Sequence, residues 1–253
     1  MSNSTIGTIT TIRRFPVKSM AGEVLQSTRI ESYGLYGDRS HAFIDETKEG
    51  WSRYFTARNA AALLGYHASF DEAAVTDEAV ADVDANADKF PPVTITAPDG
   101  RQLQWNEELL QEIQQIARPK LAMLEHTPSS PELAIDTASI LLVTDKSVRK
   151  LEAMWSKPLD PLRFRANLFV TLSDEEGDES SWIGKRMTIG TAELRVDQYC
   201  ERCSLITLDP QTQERDSSLL RKVNEEWNQN FGVYASVVKP GHVKVGDGVY
   251  WAE

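Results

Sequence analysis

Near its start the chain reads IGTITTIRRFPVKSMAG, residues 6–22. The first half of this stretch is rich in Ile and Thr, whose branched side chains pack well on a pleated sheet, and it predicts a β-strand. Pro16 ends that strand because proline cannot donate to a sheet ladder. The residues after Pro16 are predicted to form a loop, so a basic residue, Lys18, lies directly beyond a buried strand.

Short strands and turns recur along the rest of the chain. Apolar alternation bounded by turn residues predicts a strand pair at 26–32 and 41–45, with Gly34 and Gly37 in the turn, and hairpins over 90–105 and 242–251. The segment after the two cysteines, SLITLDP, also has the composition of a strand.

Three helices are predicted from apolar residues repeated on one face. Their candidate N-caps are Asn106, Thr144 or Asp145, and Ser217. Because strands and helices do not alternate regularly, the pattern favours an α+β fold, mostly β and barrel-like, over a doubly wound sheet. A break near residues 118–119 predicts an N-terminal domain over 1–118 and a second domain over 119–253.

Composition excludes several classes of protein. The 253 residues carry a net charge of −11, which disfavours binding to nucleic-acid polymers. The longest uncharged runs are far shorter than the roughly 20 residues of a membrane span, and no secretory signal is visible. With only two cysteines, three residues apart, we expect a reducing compartment, the cytoplasm. The acidic segments 71–88 and 173–179 are expected to be solvated surface.

The stretch Cys200-Glu201-Arg202-Cys203 is the first candidate for chemistry. It is compatible with half a zinc site, a redox pair, two inert core cysteines, or a thiolate ligand to a softer metal. The four histidines are scattered away from ligand spacing, and a redox pair would need a following helix. The residues alone leave these alternatives open.

Cations in loops beside apolar strands form the second candidate. Lys18, Arg39 and Arg165 each lie close to a predicted buried strand and therefore need an anionic partner. Separate internal carboxylates could supply it. Together the three could instead form an anion pocket, since guanidinium and ammonium groups both bind phosphate.

These motifs, in this order, resemble the family of the molybdenum cofactor sulfurase C-terminal (MOSC) domain, in its two-part form with an N-terminal β-barrel segment. The matching stretches are FPVKSMAGE (15–23), GLYGDRSHAFID (34–45), FTARN (55–59), IDTASILLVTDKSVRKLE (135–152), RFRANLFV (163–170), YCERCSLITLDPQT (199–212) and KPGHVKVGDGVYW (239–251). The resemblance implies a MOSC-type β-barrel with flanking helices and a smaller N-terminal β-barrel-like domain.

The resemblance also implies roles for individual residues. Cys203 would be the catalytic molybdenum ligand, and Cys200 a neighbour. Thr56 and Arg58 match a further T-A-R stretch of the family. Residues implied to bind the molybdenum cofactor (Mo-molybdopterin) are Lys18, Ser19, Arg39, Asp136, Thr137, Arg165, Asn167 and Arg202.

The activity implied is the reduction of small N-hydroxylated compounds to amines, a detoxifying reaction that needs electrons from a separate reductase. Glu201 departs from the Ser often found there and places a negative charge beside the implied metal. A cofactor or sulfur carrier is the alternative function, although the desulfurase domain of the sulfurases, a pyridoxal phosphate domain, is not seen in this chain. For lack of any interface signal we expect a monomer.

Overall fold

A computed structural model describes residues 5–71, 89–130, 133–173 and 177–252. The strands are β1 (Gly7–Arg14), β2 (Glu23–Leu25), β3 (Ser27–Glu31), β4 (Gly34–Leu35), β5 (His41–Ile44), β6 (Tyr54–Phe55), β7 (His67–Phe70), β8 (Val93–Thr96), β9 (Gln102–Gln104), β10 (Ala122–Glu125), β11 (Ile140–Thr144), β12 (Leu168–Leu172), β13 (Arg186–Ile189), β14 (Ala192–Glu201), β15 (Asn230–Lys239), β16 (Gly241–Lys244) and β17 (Gly248–Trp251). The helices are α1 (Glu107–Gln114), α2 (Asp145–Trp155) and α3 (Ser217–Trp227).

Seven of these strands close into a barrel, in the order β12-β11-β15-β14-β13-β17-β1 and back to β12. β1 closes the ring because it pairs antiparallel with both β12 and β17. Ile9 and Ile12 are both fully buried inside the barrel, because an irregularity between Ile9 and Thr11 shifts the alternation by one residue. The fold is therefore mostly β and barrel-based, as the sequence predicts.

Three smaller sheets surround the barrel, with strand orders β10-β5-β6, β16-β3-β4 and β7-β8-β9. A second core of buried side chains fills the space between the sheets built from residues 41–70 and 93–125, and includes Phe43, Leu63 and Ile95. The division of the chain at residue 118 remains a prediction. β10 lies beyond that residue and pairs with β5, and β1 lies before it and pairs with the barrel.

The helix starts follow from capping. The Asn106 side chain accepts hydrogen bonds from the backbone of α1, and Thr144 accepts one from Ser147 in α2, so both predicted caps are confirmed. The predicted cap Ser217 is wrong by one residue. Asp216 accepts from Ser218, and Ser217 is the first residue of α3.

Several predicted pairings are also wrong. β3 pairs with β4 and β16, and β5 pairs with β10 and β6, so the strands predicted at 26–32 and 41–45 do not pair with each other. The predicted hairpin over 242–251 is two strands of different sheets, since β17 pairs with β1 and β13. The hairpin of β8 and β9 is confirmed.

The segment after the cysteines is not a strand. Ser204–Thr207 forms a single 3₁₀ turn, which draws the chain inward so that Ile206 and Thr207 are buried. Predictions for the acidic segments fall largely on residues 72–88 and 174–176, which lie outside the described residues.

If β1 belongs to the barrel core, removing one of its inward side chains will destabilise the whole protein. We expect Ile9→Ala to lower the free energy of unfolding by about 2–5 kcal/mol, because the cavity left in a closed barrel cannot collapse fully. Thr10→Ala, at the adjacent exposed position, is the matched control and should change it by less than about 0.5 kcal/mol. Urea denaturation measures both, and equal effects would contradict the placement of β1.

Buried His41 predicts a pH dependence of stability. Burial, helped by His126, lowers the pKa of His41 from 6.5 to about 4. As the pH falls between these values the unfolded chain takes up a proton that the folded protein does not, so stability is lost. Between pH 7 and 5 the wild type should therefore lose about 2 kcal/mol more than His41→Gln. His67→Gln, which alters an exposed ring, should follow the wild type in the same unfolding series.

Candidate functional site

A cleft at one end of the barrel collects loop residues from across the chain. It is lined by most of the residues singled out from the sequence: Lys18, Ser19, Arg39, Thr56, Arg58, Asp136, Arg165, Cys200, Glu201, Arg202 and Cys203. The loops after β1, β6 and β14 each contribute to this set. Lys18 and Cys203, which are 185 positions apart, therefore share one cavity.

The backbone at this cleft is held in an uncommon conformation. Ser19, Arg39 and Arg165 have positive φ angles of 70°, 54° and 54°. A left-handed conformation costs a side-chain-bearing residue roughly 1–2 kcal/mol, and such residues concentrate at functional sites. The turn before Arg39 requires glycine at position 37. Its φ is +72°, and a Cβ there would meet the Phe70 ring at 2.4 Å.

Asp38 anchors the Arg39 loop. One carboxylate oxygen accepts a hydrogen bond from the Phe15 backbone at 2.7 Å, and the other pairs with the Arg39 guanidinium. Burial opposes the charge of Arg39, but Asp38 and Asp136 outweigh it, so the pKa of Arg39 is raised. Arg39 is therefore partly neutralised by a carboxylate of its own loop.

Lys18 reaches the cleft from the loop after β1. Its ammonium nitrogen donates to the Ala134 carbonyl at 2.7 Å and to Asp136 Oδ1 at 2.6 Å. Burial lowers the pKa of Lys18, and the nearby cations Arg39 and Arg165 add to that effect against the attraction of Asp136. Partial burial raises the pKa of Asp136, but Lys18 and, after it, Arg39 and Arg58 lower that pKa and prevail.

Arg165 is the least compensated charge in the cleft. The residue is buried, at 9% exposure. Nη1 donates to the Met20 carbonyl at 2.8 Å, while buried Nη2 has no hydrogen-bond partner among the described residues. Burial and the neighbouring Arg39 lower the pKa of Arg165. A buried guanidinium with an unused donor is suited to binding an anion.

The two cysteines are both free but lie in different surroundings. Cys203 is half-buried, and Arg58 Nη1 lies 3.7 Å from its sulfur. Cys200 is buried, and its sulfur accepts from Arg202 Nη1 at 2.8 Å. Burial, followed by the proximity of Cys200, raises the pKa of Tyr234. Cys200 is therefore held within the fold, and Cys203 is the more accessible thiol.

Two predicted residues do not line the cleft. Asn167 lies behind it, where Oδ1 accepts from the Leu141 backbone at 3.2 Å and Nδ2 donates to the Arg13 carbonyl at 3.2 Å, joining β11 to β1. Thr137 is an exposed neighbour of Asp136. Asn167 is thus placed to hold the loops together.

Sequence reasoning missed several residues of the site. Tyr234 and Phe164 line the cleft, and Trp51 stands at its edge, with Arg58 4.3 Å and Lys18 Nζ 5.3 Å from the ring centroid. Because the chain contains many aromatic residues, the presence of one does not by itself indicate a residue of the site. Only the closeness of Trp51 to the T-A-R stretch could have indicated it.

The donor set suits an anionic ligand with a single thiolate contact. Five cationic side chains line the cleft, against Asp136, Glu201 and, behind them, buried Asp38. Among the described residues, no group of three or more His, Cys, Asp or Glu side chains could hold a metal by itself. The cleft encloses about 60 Å³, well below the ~300–1,000 Å³ of typical small-molecule sites. A phosphate-bearing cofactor would fit only if part of it lay along the exposed rim.

Comparison with known proteins finds two family models that together match most of the chain. Residues 6–117 match the MOSC N-terminal beta barrel domain, and residues 131–250 match the MOSC domain. The chain belongs to the MOSC family.

Curated relatives cover only part of the chain. It is 35% identical over 125 residues to molybdenum cofactor sulfurase 1 of Aedes aegypti, covering 44% of this chain and 16% of the relative. It is 31% identical over 128 residues to human mitochondrial amidoxime reducing component 2, covering 46% of this chain and 37% of the relative. The aligned part thus spans well under half the length of these relatives.

Two solved structures are similar at lower sequence identity. The YuaD protein of Bacillus subtilis aligns over 96% of this chain and 93% of its own, at 11% identity and a TM-score of 0.47. YiiM of Geobacillus stearothermophilus aligns over 46% of this chain and 54% of its own, at 18% identity and a TM-score of 0.35.

The unused donor of Arg165 predicts that the cleft binds a small anion such as phosphate. Inorganic phosphate should raise the melting temperature of the wild type. Arg165→Gln should weaken phosphate binding at least about tenfold, because a charge-assisted hydrogen bond is worth roughly 1.5–3 kcal/mol. Arg195→Gln is the matched control, because Arg195 is exposed and pairs with Asp197 on β14. Equal phosphate affinity in both variants would show that the cleft is not the anion site.

Proposed function

We propose that this protein reduces small N-hydroxylated compounds to amines with the molybdenum cofactor held in the barrel-end cleft. The observation that carries the proposal is the meeting in one cavity of Arg165, a buried cation with an unused donor, and the free, accessible thiol of Cys203. Similarity to an amidoxime reducing component and to a cofactor sulfurase supports a ligand of this class.

The chain's own residues would bind and orient the cofactor. Arg165 Nη2 and Lys18 would hold its phosphate, and Ser19 and Arg39 present neighbouring donors from their fixed loops. Cys203 would supply the thiolate ligand, for which a soft sulfur donor is suited. Arg58 Nη1, 3.7 Å from that sulfur, would lie beside the bound ligand atom.

When bound, the cofactor would supply two-electron redox chemistry. The balance is one N–OH group, two electrons and two protons giving one N–H group and water. The proton on the nitrogen and the two in water come from solvent and from the substrate hydroxyl. Glu201 is exposed at the cleft, where a carboxylate can pass protons between solvent and substrate.

The electrons would come from a separate reductase, and the absence of a nucleotide-binding glycine motif from residues 1–253 supports this. We further propose that the protein works as a monomer in the cytoplasm, on small molecules. None of the described helices is long and apolar enough to cross a membrane.

A cofactor or sulfur carrier is the second candidate. The same cations and Cys203 would serve it, and the similarity to cofactor sulfurases favours it. A carrier would bind the cofactor, or hold sulfur on Cys203, without turnover of an N-hydroxylated substrate.

Molybdenum content tests the proposal. Protein purified from a host that makes the cofactor should contain molybdenum, and Cys203→Ser should lose at least about nine-tenths of it, since the thiolate is the ligand suited to the metal. Cys200→Ser is the matched control, because Cys200 faces Arg202 and is buried. Arg165→Ala should also lose molybdenum through its phosphate contact.

Turnover then separates the two candidates. With a reduced viologen as electron donor and N-hydroxyadenine as substrate, the wild type should form adenine. A wild type that holds molybdenum and forms no amine would favour the carrier. A wild type that holds no molybdenum would overturn the reductase and the cofactor carrier, and only a sulfur carrier would remain.

A further inference from the structure

A second cavity, of about 270 Å³, lies beside the cleft and is lined by different residues. Its walls come from the first turn of α2, the 3₁₀ turn Glu179–Trp182, the end of α3, and the facing strands β14 and β15. Phe231 is the boundary, because its ring lines this cavity and stacks on Phe164 of the cleft with centroids 4.2 Å apart. The volume approaches the ~300 Å³ at which small-molecule sites begin.

A buried carboxylate forms the polar end of this cavity. Glu179 is 4% exposed, and the hydroxyls of Thr144 and Ser147 both donate to its Oε2. Burial raises the pKa of Glu179, although the hydrogen bonds from Ser147 and Thr144 lower it. A carboxylate has about four acceptor positions, so Glu179 keeps capacity for a further donor.

Aromatic rings form the remaining walls. Trp227 and Phe231 meet edge to face with centroids 5.9 Å apart, and Tyr199 is 44% exposed although its hydroxyl donates to the Ser180 carbonyl at 2.9 Å. Gly232 also lines the cavity, and glycine is required there because its φ is +79° and a Cβ would meet Val143 of the neighbouring strand at 2.8 Å. Aromatic faces attract cations, and more strongly when water is excluded.

The chain already places an ammonium group at the outer edge of this cavity. Lys150 Nζ lies 5.1 Å from the Trp227 ring centroid and 4.0 Å from Asp178 Oδ2. Lys150 is half-exposed and does not line the cavity. Among the described residues that do line it, Asp178 and Glu179 are acidic and none is Lys or Arg.

We propose that this cavity binds a compact organic amine as its ammonium ion, with the charged end at Glu179 and the apolar body against Tyr199, Trp227 and Phe231. The occupant is defined by charge complementarity and by volume. The site uses none of the residues of the cleft and does not depend on a bound cofactor.

Calorimetric titration with three ligands of similar shape but different charge tests whether the cavity prefers a cation. Phenethylamine should bind at least about tenfold more tightly than 2-phenylethanol, and phenylacetate should not bind measurably, because a buried carboxylate repels an anion and leaves a hydroxyl less well bound. Equal affinities for the amine and the alcohol would overturn the proposal, as would no binding of the amine.

Substitutions test the location. Glu179→Gln should weaken amine binding at least about tenfold and leave the weaker alcohol binding within about twofold, because only the amine uses the charge. Tyr199→Ala should weaken binding of both, and Tyr199→Phe should restore it. If Glu179→Gln does not fold, the comparison of Tyr199→Ala with Tyr199→Phe tests whether the amine binds in this cavity. Cys203→Ser, in the cleft, should not change amine binding, and a loss there would place the amine in the cleft and contradict the proposal.

Discussion

Pairing of β1 with β12 supports both the barrel and the cleft. The ladder from Gly7↔Leu172 to Ile12↔Leu168 closes the ring of seven strands. At its end, the side chain of Asn167 donates to the Arg13 carbonyl and accepts from the Leu141 backbone. Because the chain leaves β1 at this point, the loop that carries Lys18 must run beside the loop that carries Arg165, and Arg165 donates to the Met20 carbonyl of that loop.

The electrostatics of the cleft follow from this closure. Loops fixed by sheet pairing bring like charges together in a setting with little water, where their repulsion is stronger than at the surface. Internal carboxylates compensate Arg39 and Lys18, while Arg165 keeps an unused donor. An anionic ligand would complete the compensation, and this arrangement would suit either of the two proposed functions.

Sequence reasoning predicted the strands better than their partners. Alternation and turn residues are local signals, so β1 and the β8–β9 hairpin were predictable. The pairing of β17 with β1 and β13 depends on the twist and closure of the whole ring, which no short segment encodes. The charged site residues were detectable because a cation beside a buried strand needs a partner. Tyr234 and Phe164 are ordinary core residues by sequence, and only the fold brings them to the cleft.

The closing strand also sets the order of events during synthesis. Gly7 leaves the ribosome long before its partners Leu172 and Val249. Until then the apolar face of β1, with Ile9 and Ile12, has no barrel to enter and is open to aggregation or to capture by chaperones. Such long-range pairing makes folding slow. Barrel closure is thus a late event, and the cleft can form only when nearly every residue is already in place.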